Sequence, residues 1–182
     1  MKKIIFIDRD GVINVDPIGD YVKSWREFKF ENTAIEGLRL IYGLGYEIMI
    51  ISNQAGVGDG IFSEIALWDV HNKMIDELTK NGVEILSTYY CLHGKQAGCA
   101  CRKPQLGLFQ KAVRGIEYDP QKTFFIGDKA TDMEAGKKFG LMTIFVRTGH
   151  GKGDEKMLNK NFLPDYRAEN LLTVAELLKT LQ

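Results

Sequence analysis

Short apolar runs alternate with longer amphipathic stretches along most of the chain. The apolar runs are rich in Ile, Val, Phe and Tyr, which predicts buried strands over residues 4–8, 47–53, 85–91, 123–128 and 142–147. Helical spacing of apolar positions predicts helices over residues 33–44, 63–81, 106–115, 131–139 and 173–181. Residues 149–170 have few periodic apolar positions, so we expect an ordered surface loop there.

Three of the predicted helices begin with a Thr-x-x-Glu pattern, at Thr33, Thr131 and Thr173. In a capping box, the hydroxyl and the glutamate each satisfy a backbone amide that the helix leaves unpaired. We therefore expect these three threonines to cap their helices.

The alternation of strand and helix predicts right-handed crossovers, and hence a Rossmann-like, doubly wound parallel α/β sheet with helices on both faces. A chain of 182 residues fits one hydrophobic core, so we expect residues 1–182 to form a single domain. Ligands of such sheets bind beyond the carboxyl ends of the strands. Polar residues that end the predicted strands are therefore the candidates for chemistry.

Composition and charge exclude several classes of function. Lys plus Arg and Asp plus Glu number 24 each, so no overall field attracts nucleic acid or an anionic membrane. The N-terminal apolar run stops after four residues at Asp8, too soon for a signal peptide, and no run approaches the ~20 residues that span a bilayer. We expect a soluble, cytoplasmic monomer with no nucleic-acid or membrane partner.

Carboxylates follow two of the predicted strands. Asp8 and Asp10 lie in DRDG after the first strand, while Asp128 ends TFFIGD and Asp132 follows one helical turn later. Asp also favours turns and caps, which explains any one of these residues but not the set. Because crowded carboxylates need a cation, and hard oxygen ligands suit Mg²⁺, the set predicts a magnesium site.

All three cysteines lie in one short segment, as Cys91-x-His93 and Cys99-x-Cys101. Three thiolates and one imidazole form a closed tetrahedral set that favours Zn²⁺ and leaves no position for a reacting water. We therefore predict a structural zinc loop, which would hold the cations that follow Cys101 in place. The alternative is a group of free buried cysteines beside a surface histidine.

Four motifs occur in order: DRDG after the first strand, SNQ after the second, CRKP at a helix entrance and GDKATD after a later strand. Together they resemble the ordered motifs of the haloacid dehalogenase superfamily of phosphohydrolases, over roughly residues 4–149. The resemblance implies a Mg²⁺-dependent phosphatase in which Asp8 attacks phosphorus. Asp10 would protonate the leaving oxygen and then activate water. A covalent aspartyl-phosphate splits one difficult displacement into two easier ones.

The resemblance also implies roles for the residues around these acids. Ser52 and Asn53 would donate hydrogen bonds to the phosphoryl oxygens, and Lys103 would add a positive charge there. Asp132 would orient its neighbours. The implied Mg²⁺ ligands are Asp8, the backbone oxygen of Asp10, and Asp128.

The zinc loop that runs into CRKP narrows the resemblance to the branch of heptose 1,7-bisphosphate and histidinol-phosphate phosphatases. SNQAGVG, CRKPQLGL, GDKATDMEAG and VRTG look closest to the heptose phosphatases. This implies removal of the 7-phosphate of D-glycero-D-manno-heptose 1,7-bisphosphate, a lipopolysaccharide precursor, without a large cap domain. The residues implied near the substrate are Arg102, Asp16, Tyr21, Gln54 and Lys129.

Two features keep alternatives open. Heptose phosphatases usually carry an arginine where GVGDG has Asp59, and the five-residue spacing between His93 and Cys99 also occurs in the histidinol-phosphate branch. A DNA 3′-phosphatase is a further alternative, against which the neutral charge argues. A non-catalytic phosphoacceptor would not need Asp10. We interpret His71 and His150 as ordinary helix or loop residues.

Overall fold

The computed structural model describes residues 1–17 and 19–181, and its centre is one six-stranded sheet. The strands run in the order β3-β2-β1-β4-β5-β6, and every neighbouring pair is parallel. Strand order reverses between β1 and β4, so a crevice opens beyond their carboxyl ends. The strands are β1 (Ile4–Ile7), β2 (Glu47–Asn53), β3 (Ile85–Cys91), β4 (Phe124–Gly127), β5 (Met142–Val146) and β6 (Tyr166–Ala168).

Helices cover both faces of the sheet. Alternate side chains of β1 point to opposite faces, so Ile5 and Ile7 pack in one apolar cluster with α1, α3 and α7, and Ile4 and Phe6 in another with α4 and α5. This confirms the predicted doubly wound α/β architecture. The helices of the described residues are α1 (Ala34–Gly43), α2 (Ala55–Gly58), α3 (Glu64–Lys80), α4 (Gly107–Ala112), α5 (Ala130–Phe139), α6 (Gly151–Asp154) and α7 (Leu171–Thr180).

The prediction of a loop over residues 149–170 was wrong in part. The segment contains α6, two short 3₁₀ turns (Glu155–Met157 and Lys160–Phe162) and the edge strand β6. β6 has only three residues and pairs in parallel with the end of β5. A strand this short has no alternating pattern, and its pairing partner determines its conformation.

The three predicted capping boxes were also wrong. Thr33 has a left-handed backbone (φ 63°) and its side chain caps nothing. α5 begins at Ala130, and the Asp132 carboxylate accepts from the Lys129 amide at 3.1 Å. Asn170 caps α7, where its Oδ1 accepts from the Thr173 amide at 3.1 Å and the Thr173 hydroxyl accepts from the Asn170 amide at 3.0 Å.

Two connections overhang the carboxyl edge of the sheet. They are residues 8–17 and 19–33, between β1 and α1, and residues 92–106, between β3 and α4, and both contribute to the wall of one cavity. Within residues 1–17 and 19–181 there is no second sheet that would form a cap, as predicted. None of the helices described is long and apolar enough to cross a membrane.

Candidate active site

The carboxyl ends of β1, β2 and β4 open into a cavity of about 940 Å³. Its floor holds the acids that follow β1 and the polar residues that end β2. The wall over them comes from residues 16–17, 19–21, 95, 98–100 and 102–105. The predicted site residues that line the cavity are Asp8, Asp10, Asp16, Tyr21, Ser52, Asn53, Cys99, Arg102, Lys103 and Lys129.

Asp8 and Lys103 form a buried ion pair at the cavity floor. The Asp8 amide donates to the Ile126 carbonyl at 3.0 Å, so the ladder between β1 and β4 holds the backbone of Asp8. Lys103 Nζ lies 3.1 Å from Asp8 Oδ2 and 2.7 Å from Asp132 Oδ1, and it donates to the Ile51 carbonyl at 2.9 Å. Burial favours the neutral amine, but the two carboxylates outweigh it and raise the pKa of Lys103. The lysine is therefore a fixed cation.

Asp128 is fully buried at the end of β4. Its Oδ2 accepts the His150 amide at 2.8 Å, whereas Oδ1 has no hydrogen-bond partner. Burial, together with the charges of Asp132 and Asp8, raises the pKa of Asp128 well above its usual value despite the nearby Lys129. Gly11 allows this packing, because a Cβ at its φ of +85° would lie 2.1 Å from Asp128 Oδ2.

Three carboxylates at this end of the sheet fit a divalent cation. Oxygens of Asp8, Asp128 and Asp132 all lie within 4.8 Å of one another. Asp132 is already bonded to Lys103 and to the Lys129 amide, and Asp8 pairs with Lys103 through Oδ2 and accepts the Arg9 amide at Oδ1. Asp128 Oδ1 has no such partner and points to where a cation would bind. Hard oxygen donors of this kind match Mg²⁺.

Asp10 is held from behind by three side chains. Arg9 Nη2 donates to both carboxylate oxygens at 2.7 and 2.9 Å, Asn14 Nδ2 donates at 3.0 Å and Gln54 Nε2 at 2.6 Å. Burial opposes ionisation, but the Arg9 guanidinium and these hydrogen bonds outweigh it and hold the pKa of Asp10 below its usual value. Asp10 is therefore a carboxylate in the free protein.

The three residues of the SNQ motif, at the end of β2 and just after it, have different surroundings. Ser52 is buried and accepts a hydrogen bond from Gln54 Nε2 at 3.2 Å. Asn53 exchanges two hydrogen bonds with the backbone of Lys103, at 3.0 and 3.2 Å, and so ties β2 to the CRKP segment. Gln54 has no exposed surface and does not line the cavity. Its predicted place near the substrate is corrected, since it lies behind Asp10.

The cavity rim combines acids and bases. Asp16 accepts from Lys129 Nζ at 2.8 Å and lies 3.1 Å from His150 Nε2. His150 lines the cavity, which corrects its interpretation as an ordinary loop residue. The sequence carried no signal for it, because its position depends on the turn that follows β5. Tyr21, which also lines the cavity, packs against Phe62 with ring centroids 5.7 Å apart.

The four predicted zinc ligands converge. Cys101 Sγ lies 3.2 Å from Cys91 Sγ and 3.4 Å from Cys99 Sγ, and His93 Nδ1 lies 3.1 Å from Cys101 Sγ. A tetrahedral zinc with sulfur ligands at ~2.3 Å has sulfur atoms about 3.8 Å apart. The cluster therefore has the donor set and nearly the size of a closed zinc site.

Two cations of the zinc loop face the cavity without an anionic partner. Within the described parts of the chain, neither Lys95 nor Arg102 has a carboxylate at ion-pair distance, and Arg102 Nη1 is buried without a hydrogen bond. Asp59 does not line the cavity, and its Oδ1 accepts the Lys95 amide at 3.1 Å. Asp59 thus fixes the backbone of the loop that presents Lys95.

Comparison with known proteins agrees with this geometry. A family model described as "HAD-hyrolase-like" matches residues 100–174. The D-glycero-beta-D-manno-heptose-1,7-bisphosphate 7-phosphatase of Pasteurella multocida is 33% identical over 100% of both chains. The D-glycero-alpha-D-manno-heptose-1,7-bisphosphate 7-phosphatase of Photorhabdus laumondii is 33% identical over 97% of both chains.

A solved structure gives the same result for the fold. The D,D-heptose 1,7-bisphosphate phosphatase from B. bronchiseptica, complexed with magnesium and phosphate, superimposes with a TM-score of 0.91 at 29% identity and covers 100% of both chains. The two sequence relatives, each 33% identical over 97–100% of its length, are phosphatases. The chain therefore belongs to the haloacid dehalogenase-like hydrolase family, and it is a phosphatase.

Proposed function

We propose that this phosphatase removes the 7-phosphate of D-glycero-D-manno-heptose 1,7-bisphosphate. The full-length similarity to two heptose-bisphosphate 7-phosphatases carries the proposal. The cavity supports it. Lys103 and Lys129 already pair with Asp8 and Asp16, whereas Lys95 and Arg102, which also line the cavity, have no carboxylate partner among the described residues. A substrate with a second phosphate would use those two charges, whereas histidinol phosphate brings an ammonium group instead.

Asp8, Asp128 and the backbone oxygen of Asp10 would hold Mg²⁺, which supplies positive charge against the phosphate and the clustered carboxylates. In the first step, an Asp8 oxygen attacks phosphorus and the bond between phosphorus and the sugar oxygen breaks. Asp10 gives its proton to that oxygen as it leaves. Lys103 and the Ser52 hydroxyl lie where the equatorial oxygens gain charge.

In the second step, Asp10 acts as a base. It takes a proton from water, the water oxygen attacks phosphorus, and the bond between phosphorus and Asp8 breaks to release phosphate. The lowered pKa of Asp10 keeps the side chain ionised, which is the form that can accept a proton. In the first step, Asp10 must be protonated. The negative charge of a phosphate dianion bound beside Asp10 offsets the positive charge of Arg9 and so raises the pKa of the Asp10 carboxyl.

A phosphate-release panel tests the substrate. The purified protein with Mg²⁺ is assayed on alpha- and beta-heptose 1,7-bisphosphate, heptose 1-phosphate, histidinol phosphate and a 3′-phosphorylated oligonucleotide. We expect the highest kcat/KM on a heptose bisphosphate, with one phosphate released per molecule. A higher kcat/KM on histidinol phosphate or on the oligonucleotide would contradict the proposed substrate.

Lys95→Met should weaken binding of a bisphosphate selectively. Loss of one partly exposed ion pair should raise KM by about three- to tenfold and leave kcat nearly unchanged, because Lys95 does not contact the reacting phosphate. The same variant should bind a monophosphate as the parent does. Lys179→Met, in α7 away from the cavity, is the matched control. Equal KM for the two variants would remove Lys95 from substrate recognition.

We also propose that the four-residue cluster on the loop holds one structural Zn²⁺. Metal analysis should give one zinc per chain, and Cys99→Ser should lower zinc content, Tm and activity together, since the loop carries Lys103 into the site. Cysteines that are not in disulfides persist in a reducing compartment, which fits our expectation of a cytoplasmic protein. A zinc-free protein with unchanged Tm and activity would contradict the assignment.

A further inference from the structure

Arg9, between the two acids of DRDG, has the largest side chain among the fully buried residues that the structure describes. Only 1% of its surface is exposed, and it does not line the cavity, so it does not contact a ligand there. A guanidinium in the protein interior is costly unless charged and polar partners compensate its lost hydration. Its contacts with neighbouring residues therefore indicate what it does.

Those contacts converge on Asp10. Arg9 Nε and Nη2 make three hydrogen bonds to the carboxylate, between 2.7 and 3.1 Å, and Nη2 donates a fourth to Gln54 Oε1 at 3.2 Å. Gln54 Nε2 in turn donates to Asp10 Oδ2 at 2.6 Å. Both oxygens of Asp10 are thus fixed from the interior, on the side away from the cavity.

A second layer holds Arg9 itself. Its guanidinium lies 5.7 Å from the centre of the Tyr90 ring, and the Tyr90 hydroxyl lies 3.0 Å from His71 Nδ1. Burial, with a smaller effect of the Arg9 charge, lowers the pKa of His71 to about 4. The imidazole is therefore neutral at pH 7 and adds no second cation beside Asp10. His71, interpreted from sequence as an ordinary helix residue, belongs to this layer.

We propose that Arg9 is a positioning residue that, together with Gln54, fixes the Asp10 carboxylate in the orientation required for proton transfer. The proposal rests on the acid–base role of Asp10 in the proposed mechanism. Without Arg9, Asp10 loses three of its five side-chain hydrogen bonds, and only Asn14 and Gln54 still hold the carboxylate. Misplacement of a catalytic group by about 1 Å costs up to ~100-fold in rate, while the cavity walls that bind substrate are unchanged.

A double-mutant cycle tests this directly. Arg9→Met is assayed in the wild-type background and in Asp10→Asn, on the best substrate of the phosphate-release panel, so the result does not depend on heptose being that substrate. We expect kcat to fall about 10- to 100-fold in the wild-type background, with KM within about threefold. In Asp10→Asn, the same change should cost less than about twofold, because the residue on which it acts is already disabled.

Arg9→Lys provides a second measurement if Arg9→Met does not fold. It keeps a buried cation, but a lysine cannot make the bidentate bond, so its kcat should also fall at least about fivefold at an unchanged Tm. An equal fold loss in both backgrounds would overturn the proposal and show a general structural role. A folded Arg9→Lys variant with full activity would overturn it as well. Absence of phosphatase activity in the wild type would instead defeat the proposed function.

Discussion

Asp8→Asn should lower kcat by at least about 10⁴-fold, since loss of a catalytic nucleophile has effects of this size. The amide has nearly the shape of the carboxylate and its oxygen can still accept from Lys103 Nζ, which lies 3.1 Å from Asp8 Oδ2. What it loses is the charged oxygen that attacks phosphorus. Removing one of three clustered carboxylates also lowers the negative charge at the proposed Mg²⁺ site. Steady-state phosphate release at saturating substrate and Mg²⁺ measures the loss.

Two controls make the Asp8→Asn result interpretable. Zinc content should match the wild type and Tm should change little, because Lys103 keeps its ion pair with Asp132 when the Asp8 charge is removed. Peptide mass spectrometry at position 8 must exclude deamidation back to aspartate, which would mimic residual activity. Ser52→Ala, which removes one oxyanion donor, should cost less, about 10²–10³-fold. If verified Asp8→Asn turned over as fast as the parent, covalent catalysis by Asp8 would be excluded.

Asp10→Asn should have the second largest effect, about 10²–10⁴-fold on kcat with a sugar phosphate, the usual contribution of general acid–base catalysis. The effect should depend on the leaving group. p-Nitrophenol leaves without a proton, so the first step with p-nitrophenyl phosphate no longer needs an acid. The second step still needs a base, so phosphorylated Asp8 should accumulate.

Rapid-quench kinetics on p-nitrophenyl phosphate separate the two steps. For Asp10→Asn we expect a burst of about one nitrophenolate per active site, followed by slow turnover. Gln54→Glu is a useful comparison, because it replaces the donor to Asp10 by an acceptor without changing Asp10 itself. Slow turnover without a burst would show that Asp10 serves the metal site rather than proton transfer.

Sequence patterns predicted the sheet because its central strands are buried on both faces. Runs such as IIFI in β1 and EIMIISN in β2 have apolar side chains at consecutive positions, on both faces of the strand. Such a run predicts a buried strand whatever elements pack against it. The same reasoning could not find β6, whose three residues YRA are ordered by pairing with Val146 and its neighbours. Local signals at helix ends failed for other reasons. Thr33 has a left-handed backbone and caps nothing, and Asn170, also a residue type that favours N-caps, caps α7 three residues before Thr173.

The ordered motifs predicted the residues at the strand ends, and the structure brings these residues together around one cavity. They could not predict what lies behind the acids. Arg9 and His71 have no sequence signature, because their roles arise from contacts between β1, β3 and α3. At position 59, where the resemblance implies an arginine, the Asp59 carboxylate accepts the backbone amide of Lys95, which lines the cavity.

The most direct test of the account is to trap the phosphorylated side chain. Asp10→Asn is mixed with p-nitrophenyl phosphate, quenched during the burst, reduced with borohydride and digested. Reduction of an aspartyl-phosphate converts that residue to homoserine, and we predict homoserine at position 8 in an amount that follows the burst. Unmodified aspartate at position 8 in a sample that has released a full burst would contradict the central claim.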